Sequence, residues 1–161
     1  MDKVRAAMDF KKLRAGEIAA AVGGIVLAIA VFLPAYSPNK DNPNATVLGL
    51  PDQSVASIWQ AQTLSRYILL IAAIAPIVLL YIIARGHQLS WPRGELTAVL
   101  GLTAATLLLY SGVIDRPGEP SGEISLSYGW FLAVLGSLVI AAGGAIRSSE
   151  HERKRKPPGV L

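Results

Sequence analysis

The chain of 161 residues contains no cysteine. Disulfides, thiolate metal sites and thiol nucleophiles are thereby excluded, and the redox character of the compartment leaves no trace. Histidine is nearly as scarce, with only His87 and His151, and both fall outside the apolar runs. A haem held by axial histidines within a helical bundle and a histidine-rich zinc site are therefore not expected, and no other cofactor is indicated. No Asp, Glu, Lys, Arg or His occupies the middle of any long apolar run. Proton relays and ion pathways normally need such groups within the membrane. A P-loop, a dinucleotide-binding glycine pattern after a strand and a nucleophile elbow are all missing. The reading is accordingly of a protein that is not an enzyme.

What is present is apolar: 52% hydrophobic residues and a mean hydropathy of +0.45. Four runs, at about 18–35, 67–84, 96–114 and 128–146, approach the roughly 20 apolar residues that cross a hydrocarbon core. The sequence predicts an all-α integral membrane four-helix bundle forming one domain. Residues 1–17 make a basic N-terminus lying along the membrane surface, and residues 147–161 a basic tail. A signal peptide competes for the first run, but the run exceeds an ordinary h-region and PAYS offers no small-x-small cleavage site.

Charge sets the orientation. Lys3, Arg5, Lys11, Lys12 and Arg14 precede the first run, Arg85 and Arg93 lie between the second and third, and Arg147, Arg153, Lys154, Arg155 and Lys156 follow the fourth. Only Lys40, Arg66 and Arg116 fall on the other side. The positive-inside rule then puts both termini in the cytoplasm and both long loops outside, in a plasma membrane. The net charge of +4 reflects this clustering, so nucleic acid is not an expected partner. The RKRK tail serves as a stop-transfer and topology signal.

Small residues recur every fourth position in two runs: Gly16, Ala20, Gly24 and Ala28 in the first, Gly129, Ala133, Ser137, Ala141 and Ala145 in the fourth. Bare helix faces let backbones approach, a principal source of helix association in lipid. These two rows are predicted to pack together and close the bundle. Pro76 should kink the second span. Thr97, Thr103 and Thr106 are expected to bond back to their own helix.

The loops carry their own signals. Asp52 is positioned to cap a short helix over 54–64, and Asn44-Ala45-Thr46 matches a glycosylation sequon that also arises by chance. GEISLSYG and NATVLGL alternate polar and apolar residues, so a short β pair between the external loops is predicted. Tyr36, Trp59, Arg66, Tyr67, Tyr110, Asp115, Tyr128 and Trp130 should share one depth at the outer rim. An interfacial aromatic belt explains them. The sharper alternative is a headgroup, glycolipid or protein site around Arg66 and Asp115, which would otherwise pair with one another.

FLPAYS closing the first run, SIWQA before the second, DRPGEP after the third and YGWFL opening the fourth resemble the small four-span integral membrane proteins of actinobacteria. Members often carry tryptophan after the proline of the first motif; Ala35 stands there here. The resemblance implies a cell-envelope setting and no activity. The sequence-based expectation is a non-enzymatic structural or accessory subunit, with membrane lipids, other membrane proteins or further copies of itself as partners. A carrier or lipid-binding protein, using the outer rim or an interhelical cavity, is the alternative.

Overall fold

The computed structural model describes residues 13–47, 54–85 and 93–155. The protein is mostly helical, with a small sheet at one end of the helices. Helix α1 spans Ala15–Ala30. Its start is fixed by Glu17, whose carboxylate accepts from the Arg14 N–H at 3.0 Å and so satisfies a donor that the first turn leaves free. Its end comes five residues before the boundary that hydropathy suggests. Pro34 disfavours helical backbone at Leu33, and the Val31 carbonyl, instead of continuing the helix, accepts from the Trp59 N–H at 3.0 Å. The chain then runs extended as β1, Pro34–Pro38.

Strand β1 is the middle of a three-stranded antiparallel sheet of order β2-β1-β3, where β2 is Ala56–Ser57 and β3 is Ile124–Leu126. A strand does form within GEISLSYG, yet its partner is PAYSP. Tyr36 lies opposite Leu126 and Pro38 opposite Ile124. From NATVLGL, Thr46 contributes only an isolated bridge to Glu119; residues 48–50 lie outside the described residues. The short helix expected over 54–64 is a single turn, α2, Ile58–Ala61. Its cap is Ser57, whose Oγ accepts from the Gln60 N–H while Gln60 Oε1 accepts from the Ser57 N–H at 3.0 Å, a capping box. Asp52, the expected cap, lies outside the described residues.

Three further helices complete the fold: α3, Ser65–Ala84; α4, Arg93–Leu109, prolonged by a π turn over Tyr110–Ile114; and α5, Tyr128–Arg155. Ser65–Ala84, Gly94–Ile114 and Tyr128–Ser149 are long and apolar enough to cross a membrane by length and composition. Helix α1 is apolar but shorter, 16 residues or about 24 Å at 1.5 Å per residue.

Helix α5 lies between α1 and α4, and α3 closes the ring against α1 and, more lightly, α4. The seams are built on glycine. A Cβ at Gly16 would stand 2.7 Å from the Gly143 carbonyl oxygen, and one at Gly136 would stand 2.8 Å from the Leu27 nitrogen. On the other side of α5, a Cβ at Gly101 would meet Ser137 O at 2.8 Å, and one at Gly94 would meet Gly144 O at 2.8 Å. In each case the obstacle is backbone, which cannot rotate away.

The seam between α1 and α5 differs from the two every-fourth rows. Gly16 and Ala20 do face α5, but Gly24 turns to Ala73 and Pro76 of α3, and Ala28 is only half-buried. On α5, Ser137 and Ala141 face Gly101 of α4, Gly129 abuts the Leu33 and Pro34 carbonyls, Ala133 is in the core, and Ala145 is exposed. The cause is helical geometry. Each step of four residues overshoots a full turn by about 40°, so a long row wraps around the helix. Steps of seven come back to within about 20°. The contacting glycines are spaced that way: Gly16 and Gly23 on α1, Gly136 and Gly143 on α5, Gly94 and Gly101 on α4.

Candidate functional site

The aromatic and charged residues grouped by sequence do collect at the sheet end, but as two separate constructions. In the first, Tyr36 is fully buried beneath the sheet. Its hydroxyl donates to Ser111 Oγ at 3.1 Å and accepts from Gln62 Nε2 at 3.4 Å. Ser111 Oγ in turn donates to the Leu108 carbonyl at 3.1 Å, which also accepts from Trp130 Nε1 at 3.0 Å. The Trp130 ring packs against Gly112, where a Cβ would collide with it. Tyr36 and Trp130 are thus core residues with satisfied polar ends rather than members of an interfacial belt. Burial pushes the Tyr36 hydroxyl pKa above its ordinary value, against the lowering effect of its bonds with Ser111 and Gln62.

The second construction surrounds Arg66 in the first turn of α3. Its guanidinium carbon sits 4.8 Å from the ring centroids of both Trp59 and Tyr67. Nη1 donates to the Trp59 carbonyl at 3.3 Å and Nη2 to the Tyr67 hydroxyl at 3.0 Å, while Nε is buried without a partner. The rings brace each other, Trp59 edge-on to Tyr67 at 5.7 Å and tilted against Phe32 at 5.4 Å. Cation–π contact and two neutral acceptors hold the side chain in place.

Tyr110, Asp115 and Tyr128 are exposed and belong to neither construction. Among the described residues no ion pair joins Arg66 to Asp115. The expected pairing is not made: the π turn that prolongs α4 ends at Ile114, and the Asp115 N–H donates to the Tyr110 carbonyl.

Two features escaped the sequence reading. Arg116, counted there only as an external cation, donates through Nε to Gly112 O and through Nη1 to Ile124 O, both at 2.7 Å, and so ties the π turn to β3. At the opposite end of the bundle, Glu17 is only 8% exposed and forms an ion pair with Arg147, joining α1 to α5. Hydropathy places Glu17 and Arg147 just outside their apolar runs; the local signal is that each stands next to the seam, Glu17 beside Gly16 and Arg147 one turn after Gly143, whose backbones meet there. A cavity of ≈ 20 Å³ lies beside the pair, lined by Thr97, Pro76 and the backbone of Gly94 and Gly143. That volume holds about one water molecule. Among the described residues no three His, Asp or Glu side chains converge as a metal site would require.

Comparison with protein-family profiles, with curated proteins and with solved structures finds no match. The functional reading rests on the geometry.

Proposed function

We propose that the chain is a four-span plasma-membrane bundle with both termini cytoplasmic and the sheet outside, serving as a non-enzymatic structural or accessory subunit of the cell envelope. The observation that carries this reading is how the interior is filled. Glycine seams bring α1, α4 and α5 backbone to backbone, and the cavity beside Glu17 and Arg147 has room for about one water. A carrier needs a path or a chamber for its cargo; a packed bundle suits a scaffold.

The membrane setting draws support from the outward faces. Ile18, Val22 and Ile25 on α1, Ile71 and Ile74 on α3, Val99 and Leu102 on α4, and Leu135 and Leu138 on α5 are all exposed. Exposed aliphatic side chains on all four long helices, over a core rich in glycine and alanine, invert the pattern of a soluble protein and match packing in lipid. A 16-residue α1 spans with local thinning of the bilayer, at a modest cost per ångström of mismatch.

The absence of cysteine makes the topology directly testable. Single cysteines at Asn42, Ser121 and Ser149 are expected to react with an impermeant maleimide in intact cells at the first two positions only. Labelling of Ser149→Cys without permeabilisation would invert the topology. The accessory role is tested by mild crosslinking in native membranes, where a chain recovered solely as a monomer, with no membrane protein attached, removes that role.

A further inference from the structure

We infer that Arg66, bracketed by Trp59 and Tyr67, binds the phosphate of an anionic phospholipid headgroup in the outer leaflet; the inference rests on the membrane placement proposed above.

The starting point is an uncompensated charge. Arg66 is half-buried, and among the described residues no carboxylate pairs with it. Its two partners, the Trp59 carbonyl and the Tyr67 hydroxyl, are neutral. It also sits in the first turn of α3, a turn with no acidic residue. The helix dipole already places partial positive charge there, so a cation at that position is unfavourable unless an anion accompanies it. Partial burial sharpens the requirement, because an isolated charge removed from water is costly unless paired.

The geometry selects the kind of anion. Nε is buried, so a ligand would have to meet the Nη groups, and each Nη keeps one N–H beyond the bond it already makes. Two N–H donors carried on one planar guanidinium suit two oxygens of a phosphate. Contact with both rings and the two hydrogen bonds already hold the guanidinium, so little order remains to be imposed on binding.

The surroundings select a lipid over a free phosphate. Tyr67 touches the cation and Phe32 packs against Trp59; they are about half exposed, at 49% and 56%, and Leu64, immediately before the helix, is 74% exposed. A soluble anion gains nothing from such a border. A headgroup whose glycerol and acyl chains lie along it covers these side chains while the phosphate meets the guanidinium.

The test uses the full chain, purified in detergent, with retention of phosphatidylglycerol and phosphatidylcholine of equal chain length read by native mass spectrometry. Wild type is expected to prefer phosphatidylglycerol. Arg66→Gln should lose about tenfold in that preference, and Arg66→Lys, which keeps a charge but not the planar edge, should fall between. Millimolar inorganic phosphate should not displace the lipid. Equal retention of the two lipids by wild type, or an undiminished preference in Arg66→Gln, overturns the inference; displacement by inorganic phosphate overturns it in favour of a free-anion site. If Arg66→Gln fails to fold by circular dichroism, wild type and Arg66→Lys decide: a lysine variant as selective as wild type rules out bidentate recognition. Alkaline carbonate extraction separates the two proposals. A chain released from membranes sinks the membrane placement, whereas a retained chain without lipid preference sinks the Arg66 site alone.

Discussion

Tyr36 and Ser111 are 75 positions apart in sequence and share a hydrogen bond of 3.1 Å, the Tyr36 hydroxyl donating to Ser111 Oγ. One residue belongs to the central strand of the sheet and the other to the π turn that prolongs α4. The bond therefore fastens the sheet to the top of the bundle. Removing the hydroxyl in Tyr36→Phe leaves Ser111 still bonded to Leu108 O, so a loss of about 1 kcal/mol is expected. The same residue sets an alkaline limit. Burial raises the folded pKa of Tyr36 above that of the unfolded chain, near 10. Its contribution is then complete below the unfolded pKa and disappears as pH rises through the folded one. Thermal melts in detergent from pH 8 to pH 11 should show wild type weakening above about pH 10, with a shallower decline in Tyr36→Phe. An unchanged slope in the variant would assign the titration to another group.

Gly101 and Gly122 form a matched pair of tests. A Cβ at Gly101 would press on backbone atoms of Ser137 and Ala141, whereas one at Gly122 has nothing within 4 Å. Gly101→Ala should cost about 1–3 kcal/mol by overpacking, and Gly122→Ala should leave the melting temperature within a degree or two. Equal effects would mean that α4 and α5 do not meet as closely as described.

Ala141 and Ala145 separate the two accounts of the small-residue row. Ala141 is buried at 8% exposure against Gly101, and Ala145 is exposed. Ala141→Leu should lower stability by about 1–3 kcal/mol or prevent folding; Ala145→Leu should be tolerated. Loss of an oligomer without loss of stability in Ala141→Leu would restore the row as a partner surface.

The Glu17–Arg147 pair closes the end of the bundle opposite the sheet. Arg147→Ala strands a buried carboxylate and should cost about 3–5 kcal/mol, more than the double variant Glu17→Gln/Arg147→Ala, in which no buried charge is left. A double variant as unstable as the single one would show that side-chain packing, rather than charge, matters at that site.

Arg116→Ala removes both 2.7 Å bonds to Gly112 O and Ile124 O. Faster amide exchange at Leu126 and neighbouring positions of the sheet is expected, with the helices unaffected, because the arginine joins β3 to the π turn and to nothing in the lower bundle.

Much of the helical layout was legible from hydropathy. The run at 67–84 corresponds to α3, the run at 128–146 lies within α5, and ISL forms a strand. The end of α1 was not, since PAYSP reads as apolar continuation until its partners are known. Those partners, Ala56–Ser57 and Ile124–Leu126, come from distant loops, and no local pattern encodes that choice. The seam was half legible. Composition announced bare helix faces, but the every-fourth rows obscured the seven-residue glycine spacing that geometry favours. At the sheet end, an aromatic at a helix boundary reads alike whether it points out, as Tyr128 does, or in, as Trp130 does.

Strand β1 sits between β2 and β3, and α1 rests on α5, so the earliest segments of the chain depend on the latest for their cover. On a ribosome, the glycine face of α1 and one edge of β1 stay bare until residues beyond 124 have emerged. Closure is consequently a late, long-range event, with the high contact order that slows folding. A nascent chain cut short before α5 would leave the glycine face of α1 without the helix that covers it.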